Sequence, residues 1–263
     1  MSALYRAELL KLFRQPSILF WGFLAPPLAA ILFKAALEGM VFLRAGRTLG
    51  GGDLLQSAAR SLAISGNSVA QLLFAIAIST VFFAEYRHAT WRLMVPRAAR
   101  GALWAAKLLA CLTCLGASLI VAAAGDLATN ILFALTGAGG LASLIVDPGG
   151  LPLLAGQFCI SLAELAVLAA VVSAITIIAR SMIAAVISAF LLALGATAVQ
   201  VYLAGKLPVV PMPYYGAQAL RNWLSSGADA VIGANGLLVL AVWLVVPAVV
   251  GYVAFQRQQL AVE

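Results

Sequence analysis

Six stretches of mostly apolar residues, each long enough to cross a bilayer, constrain this chain more than any other feature. A helix needs about 20 such residues to span the hydrocarbon core of a membrane. The 263-residue chain is 64% hydrophobic and only 10% charged, whereas soluble domains are close to half apolar and a quarter charged. The sequence therefore predicts an all-α polytopic membrane protein with a single domain, residues 1–263, and six transmembrane helices at about 17–37, 65–84, 103–124, 153–178, 181–204 and 232–255.

The distribution of Lys and Arg between the loops predicts the orientation, because cytoplasmic loops carry an excess of these residues. With the N-terminus inside, ten of the 16 lie on the cytoplasmic side. These are Arg6, Lys11, Arg14, Arg87, Arg92, Arg97, Arg100, Lys107, Arg180 and Arg257. Both termini are therefore expected in the cytoplasm. The net charge of +7 is assigned to loops beside anionic lipid, and no nucleic-acid partner is expected.

The first 16 residues are predicted to form an amphipathic helix that Pro16 ends. Its apolar face would carry Tyr5, Leu9, Leu12 and Phe13, with Glu8, Lys11 and Arg14 on the opposite face. Such a helix is expected to lie in the cytoplasmic headgroup layer, either as a plain anchor or as a contact for a cytoplasmic partner.

Two of the loops predicted to lie outside carry structural signals. Asp53 can cap a short helix that begins at Leu54. Residues 205–231 contain three prolines and then a short helical run at about 216–224. Apolar backbone that is broken by proline at membrane depth must be buried in protein or line a cavity. This segment is therefore predicted to be a short re-entrant helix before the last span.

The chemical groups along the chain point away from catalysis. The phosphate-binding pattern G-x-x-x-x-G-K-[ST] does not occur, and His88 is the single histidine. We therefore expect no catalytic residue, no metal site and no bound cofactor in this chain. Glu164 lies midway along the fourth span, where an ionised side chain costs at least about 2.5–3.5 kcal/mol. Its side chain must face the bundle interior, a cavity or a partner, either as a substrate or proton contact or as a protonated or hydrogen-bonded interhelical lock.

The basic loop between the second and third spans, residues 85–107, carries the most specific pattern. It reads EYRHATWRLMVPRAARGALWAAK. The order of its residues resembles the first cytoplasmic loop of ABC-2-type ABC transporter permeases, roughly E-Y-x-x-G-T-W-x-x-L-x-x-x-P-x-x-R followed by a helix with a Lys. The matching residues are Glu85, Tyr86, Thr90, Trp91, Leu93, Pro96, Arg100 and Lys107, and Ala89 stands where Gly is usual.

The resemblance implies a small six-span half-permease of a bacterial inner membrane. Its loop would form a coupling helix at about 86–95 that docks on a separate ATPase subunit, which binds ATP and Mg. The implied docking residues are Glu85, Tyr86, Arg87, Thr90, Trp91, Arg92, Leu93, Met94, Pro96 and Arg100. The N-terminal helix would be the elbow helix that touches the ATPase. A second half, identical or related, would complete an exporter for a hydrophobic or amphipathic peptide, antibiotic or lipid.

One alternative from a different class stays open. A membrane subunit that does not transport, and that anchors or assembles a cytoplasmic partner, would share the basic loop. It would need no substrate cavity, so a charged or polar lining between the two halves, including Glu164, would favour the transporter.

Overall fold

The computed structural model describes residues 2–45, 53–88, 98–136, 140, 144–202, 211–227 and 229–258, and every regular element within these ranges is helical. Six of the described helical segments are long and apolar enough to cross a membrane, which confirms the all-α polytopic class. Within these ranges, nine α-helices have at least two turns: α1 (Ser2–Phe13), α2 (Ala25–Ala45), α3 (Leu54–Ser61), α4 (Ser68–Arg87), α5 (Arg100–Thr136), α6 (Gly150–Ala179), α7 (Met182–Tyr202), α8 (Pro213–Ser226) and α9 (Ala230–Arg257).

The first span runs from Pro16 to Arg44 and contains a π-helical turn, Leu19–Leu24, before α2. Pro26 and Pro27 lie one residue beyond this turn and have no backbone N–H, so the carbonyls one turn earlier lose their usual helical donors. The wider turn places Gly22 against α4, where any added Cβ would collide with Ala77. A π turn of this kind accommodates the two prolines without breaking the span.

α5 is longer than the sequence predicted. Residues 125–136 were expected in an outer loop, but the helix continues to Thr136. Its 37 residues correspond to a length of about 55 Å at 1.5 Å per residue, well beyond a hydrocarbon core of about 30 Å. The extension persists because its inward side, which includes Asp126 and Asn130, is buried against neighbouring helices. The loop prediction for this segment was therefore wrong.

α6 is the centre of the bundle. In its most apolar window 61% of the residues are buried against other elements, compared with 11% in α9. The segment 164–177 is buried on nearly every side because α4, α5, α7, α8 and α9 all pack around it. A helix that is apolar all round belongs at such a position.

One end of the bundle, called here the loop end, gathers the two helix ends that flank the basic loop together with α1 and the C-terminal end of α9. Tyr86 Oη donates to Gln258 Oε1 at 2.8 Å, and Gln258 Nε2 donates to the backbone oxygen of Ile177 at 3.0 Å. The turn after α6 lies here too, with Arg180 in the left-handed region at φ 48°. α1 and the C-terminal end of α9 therefore lie beside the two helix ends that flank the basic loop. Their placement in the cytoplasm stays a prediction.

The opposite end, called here the far end, contains α3 and α8. Asp53 caps α3 as predicted, because its side chain accepts a hydrogen bond from Leu55 N. α8 is longer than the predicted run at 216–224 and packs on α6 and α9. A Cβ placed on Gly236 would lie only 2.7 Å from the backbone oxygen of Gly216. Glycine is thus needed where α8 and α9 cross. The re-entrant path stays a prediction, since residues 203–210 lie outside the described ranges.

Candidate functional site

The predicted docking residues divide into two groups. Glu85, Tyr86 and Arg87 form the last turn of α4, and Arg100 begins α5. Thr90, Trp91, Arg92, Leu93, Met94 and Pro96 lie outside the described residues. The coupling helix expected at about 86–95 is therefore described only at its first residues.

Glu85 lies inside the bundle and not on the surface of the loop. Its side chain belongs to an ionic cluster of four groups, which we call the base cluster: Glu8, Lys11, Glu85 and Lys107. Lys107 Nζ lies 2.9 Å from Glu85 Oε1 and 2.8 Å from Glu8 Oε2. Lys11 Nζ lies 2.9 Å from Glu8 Oε1 and 3.1 Å from Glu85 Oε1. Glu85 thus ties α4 to α1 and α5, and its contact with an ATPase stays a prediction.

The same cluster corrects the predicted faces of the N-terminal helix. Glu8 was placed on the polar face but is only 6% exposed, whereas Phe13 was placed on the apolar face and is 68% exposed. Tyr5, Leu9 and Leu12 do pack inward. The inward face is therefore rotated towards Glu8, because Lys107 supplies a buried counter-charge that helical periodicity alone cannot reveal.

Lys11 is the half-exposed member of the base cluster. Burial lowers the pKa of its ammonium group, but the hydrogen bonds and negative charges of Glu8 and Glu85 together outweigh burial and raise the pKa above its usual value of 10.5. The side chain therefore stays charged at neutral pH. The cluster then holds two positive and two negative charges, which limits the cost of burying it.

Arg100 and Tyr86 contact the end of α9. Arg100 Nη1 donates to the backbone oxygens of Gln256 at 2.9 Å and Gln258 at 2.7 Å. The last carbonyls of a helix have no partner within the helix, and a cation beside them also interacts favourably with the helix dipole. Arg100 is thus engaged within the chain, and the predicted contact with an ATPase would have to use its remaining nitrogens.

Glu164 is buried in α6, with 2% of its surface exposed. Its Oε2 accepts hydrogen bonds from Arg221 Nη2 at 2.6 Å and from Ser65 Oγ at 2.7 Å. A partner for Glu164 was expected from the sequence, but Arg221 was not identified as that partner, because its segment was predicted to be an outer loop. The signal was available: Arg221 is the lone charge of α8, and a buried acid needs an opposite charge.

A cavity of about 380 Å³ lies beside this pair at the far end. Its walls come from the segment before α4, from α4 itself, and from α7 and α8. The lining residues are Ala63, Gly66, Asn67, Ser68, Thr197, Tyr214, Gln218, Arg221 and Asn222. Tyr214 also lines a narrow pocket of about 30 Å³ that reaches Glu164. Seven of these nine residues carry a polar side-chain group, although the cavity lies in a bundle of apolar helices.

A second buried polar group at the far end joins α2, α3 and α5. Lys34 Nζ lies 2.5 Å from Asp126 Oδ1 and 2.8 Å from Asn130 Oδ1. Ser57 Oγ donates to Asp126 Oδ2 at 2.7 Å, and Asn130 Nδ2 donates to the same oxygen at 3.0 Å. Both carboxylate oxygens of Asp126 are engaged, so this cluster is a structural lock that also explains why α5 continues beyond residue 124.

Comparisons with protein-family models, with curated proteins and with solved structures find no match for this chain.

Proposed function

We propose that this chain is the permease subunit of an ATP-driven transporter of the ABC-2 type, in a bacterial cell membrane. The energy would come from a separate ATPase subunit that docks on the basic loop and binds ATP and Mg. Two permease halves would form the path of a hydrophobic or amphipathic substrate, with export as the direction.

The base cluster is the observation that best supports the proposal. α4 ends at Arg87 and α5 begins at Arg100, so the basic loop joins these two helices. Glu85 and Lys107, on the two flanking helices, pair with each other and with α1. A force applied to the loop would therefore reach α1, α4 and α5 together. A coupling loop needs a rigid connection to the helices that it moves. Packed elements that switch between two arrangements pass on a conformational change, whereas flexible elements absorb it.

A second connection joins the loop to the far end. Arg100 holds the C-terminal end of α9, and α9 spans about 42 Å at 1.5 Å per residue. Near its other end it packs closely on α8 at Gly236. α8 carries Arg221, which contacts Glu164 in α6. A shift of α9 relative to α6 would thus move one wall of the far-end cavity, which gives alternating access a physical route.

The polar lining favours a transporter over a plain anchoring subunit. An anchor has no need to bury the Glu164–Arg221 pair, since unpaired or poorly paired charges inside a membrane bundle are costly. The cavity of about 380 Å³ is within the range of small-molecule sites, about 300–1,000 Å³. Glu164 and Arg221 are accordingly assigned to the substrate path.

The experiment that tests the function is gentle extraction of the tagged chain from its native membrane. Co-purifying chains are identified by mass spectrometry, and ATP hydrolysis is measured on the same material. We expect a nucleotide-binding subunit in a 1:1 ratio with permease halves, and ATP turnover. Recovery of a cytoplasmic partner without nucleotide binding, under conditions that preserve a known ABC complex, would replace the transporter with the anchoring alternative.

A further inference from the structure

The far-end cavity contains one charged side chain among the described residues that line it, Arg221. That charge is already neutralised, because Arg221 Nη2 lies 2.6 Å from Glu164 Oε2. The remaining polar lining consists of amides and hydroxyls: Asn67, Ser68, Thr197, Tyr214, Gln218 and Asn222. The cavity therefore has many hydrogen-bonding groups and no net charge of its own.

This balance determines which ligands fit. An anion that bound Arg221 would place a second negative charge beside the buried carboxylate of Glu164, and a cation would face the guanidinium. Either bound charge would lie beside the buried pair without an opposite charge of its own, which is expensive. An uncharged group that both donates and accepts hydrogen bonds avoids these costs. Arg221 Nε is buried and has no hydrogen-bond partner among the described residues, so the guanidinium that lines the cavity has a donor still to satisfy.

The cavity adjoins an exposed apolar stripe, which would suit the apolar part of an amphipathic ligand. Thr197, in the cavity wall, lies between Leu194 and Val201 on one face of α7, at spacings of three and four residues. Both neighbours are exposed, Leu194 at 45% and Val201 at 76%, and so is Val69 next to Ser68 in α4. An apolar chain could lie on this exposed stripe while its head group enters the cavity.

We propose that the cavity binds the uncharged, hydrogen-bonding head group of an amphipathic molecule, and that Glu164 sets this selectivity by neutralising Arg221. The shared chemistry is a donor next to an acceptor, which the amides of a hydrophobic peptide or the hydroxyls of a glycolipid both supply. The inference rests on the proposed function, because it describes the substrate of the same path. Binding to the isolated chain requires no ATPase, so the two can fail separately.

The test measures equilibrium binding of radiolabelled probes to the purified chain in lipid nanodiscs, with empty nanodiscs as background. N-octanoylglycinamide and N-octanoylglycine have the same alkyl chain and differ in one group, a neutral amide or a carboxylate. The wild-type chain should bind the amide more tightly. Glu164→Gln leaves Arg221 without its counter-charge, and it should shift the preference towards the carboxylate by about tenfold or more, or about 1.4 kcal/mol. Octyl glucoside distinguishes the two kinds of head group. If it binds more tightly than the amide probe, the natural head group carries hydroxyls; if it binds more weakly, the natural head group carries amides.

The matched control is Asp229→Asn. Asp229 is exposed before α9, and its side chain makes no capping hydrogen bond within the described residues. This variant removes one carboxylate from the far end without altering the pair, and it should keep the wild-type preference. The proposal is overturned if Glu164→Gln keeps that preference too, if Asp229→Asn shifts it equally, or if no probe binds above empty nanodiscs.

A second pair of variants serves if Glu164→Gln does not fold. Asn222 is exposed on the cavity wall, so changes there should leave the fold intact. Asn222→Lys adds a positive charge and should raise binding of the carboxylate probe relative to the amide. Asn222→Asp should lower it. Equal preferences in the two variants would show that charge at the cavity does not select the ligand.

Discussion

Replacing Lys107 by Met tests whether the base cluster holds the loop end together. Lys107 is 2% exposed and pairs with two acids, Glu8 and Glu85, which are each 6% exposed. Methionine preserves most of the apolar volume and removes the charge. Two buried carboxylates then lie beside Lys11, whose side chain is 45% exposed and therefore neutralises them weakly.

The expected loss of stability follows from the charges that stay buried after the substitution. Removing one partner of a buried ion pair costs about 3–5 kcal/mol, because the other charge stays buried. We expect Lys107→Met to destabilise the chain by about 3 kcal/mol or more. Lys11→Met, at the exposed member, should cost less than about 1 kcal/mol. Adding Glu85→Gln to Lys107→Met restores charge balance, so the double variant should be more stable than Lys107→Met alone, with a coupling energy of about 1–3 kcal/mol.

The assay is thermal unfolding of the purified chain in detergent, followed by loss of the monodisperse peak in size-exclusion chromatography. Wild type, both single lysine variants, Glu85→Gln and the double variant are measured side by side. Additive effects of Lys107→Met and Glu85→Gln would refute the reasoning, since independent sites add. Equal losses for Lys107→Met and Lys11→Met would also refute it, because burial would then not decide the cost.

Three further predictions address the loop, the helix crossing and the charge of α1. Trp91→Ala combined with Met94→Ala should remove the co-purifying ATPase while leaving membrane insertion unchanged; normal recovery and transport would exclude these residues as docking anchors. Gly236→Leu should lower thermal stability by about 1–3 kcal/mol by forcing α8 from α9, whereas Gly195→Leu, with nothing within 4 Å of its Cβ position, should be close to neutral on the same assay. Because the pKa of Lys11 is raised in the folded state, its ion pairs stabilise the fold fully below pH 10.5, and this contribution is lost as pH rises through the folded-state pKa. In thermal unfolding, the stability advantage of wild type over Lys11→Met should therefore shrink above pH 10.5. A constant difference up to pH 12 would contradict this prediction.

The candidate site was accessible from sequence only in part. Glu164 could be identified because a lone acid in an apolar span is conspicuous. Its neighbour Arg221 is 57 residues away, and Glu8 and Lys107 are 99 residues apart. Pairings of this kind depend on which helices pack together, and hydropathy does not report that. Phe13 and Glu8 were assigned to the wrong faces of α1 for the same reason.

The six spanning helices and the basic loop could be predicted from the amino-acid pattern alone. The length of an apolar stretch and the position of a charge are local properties, and they control insertion into a membrane directly. Tertiary structure decided where α5 ends, because Asp126 and Asn130 find Lys34 and Ser57 at the far end. It also decided which charges are neutralised and where a polar cavity opens. Those outcomes depend on contacts between distant segments, whose free energy exists only once the helices have packed.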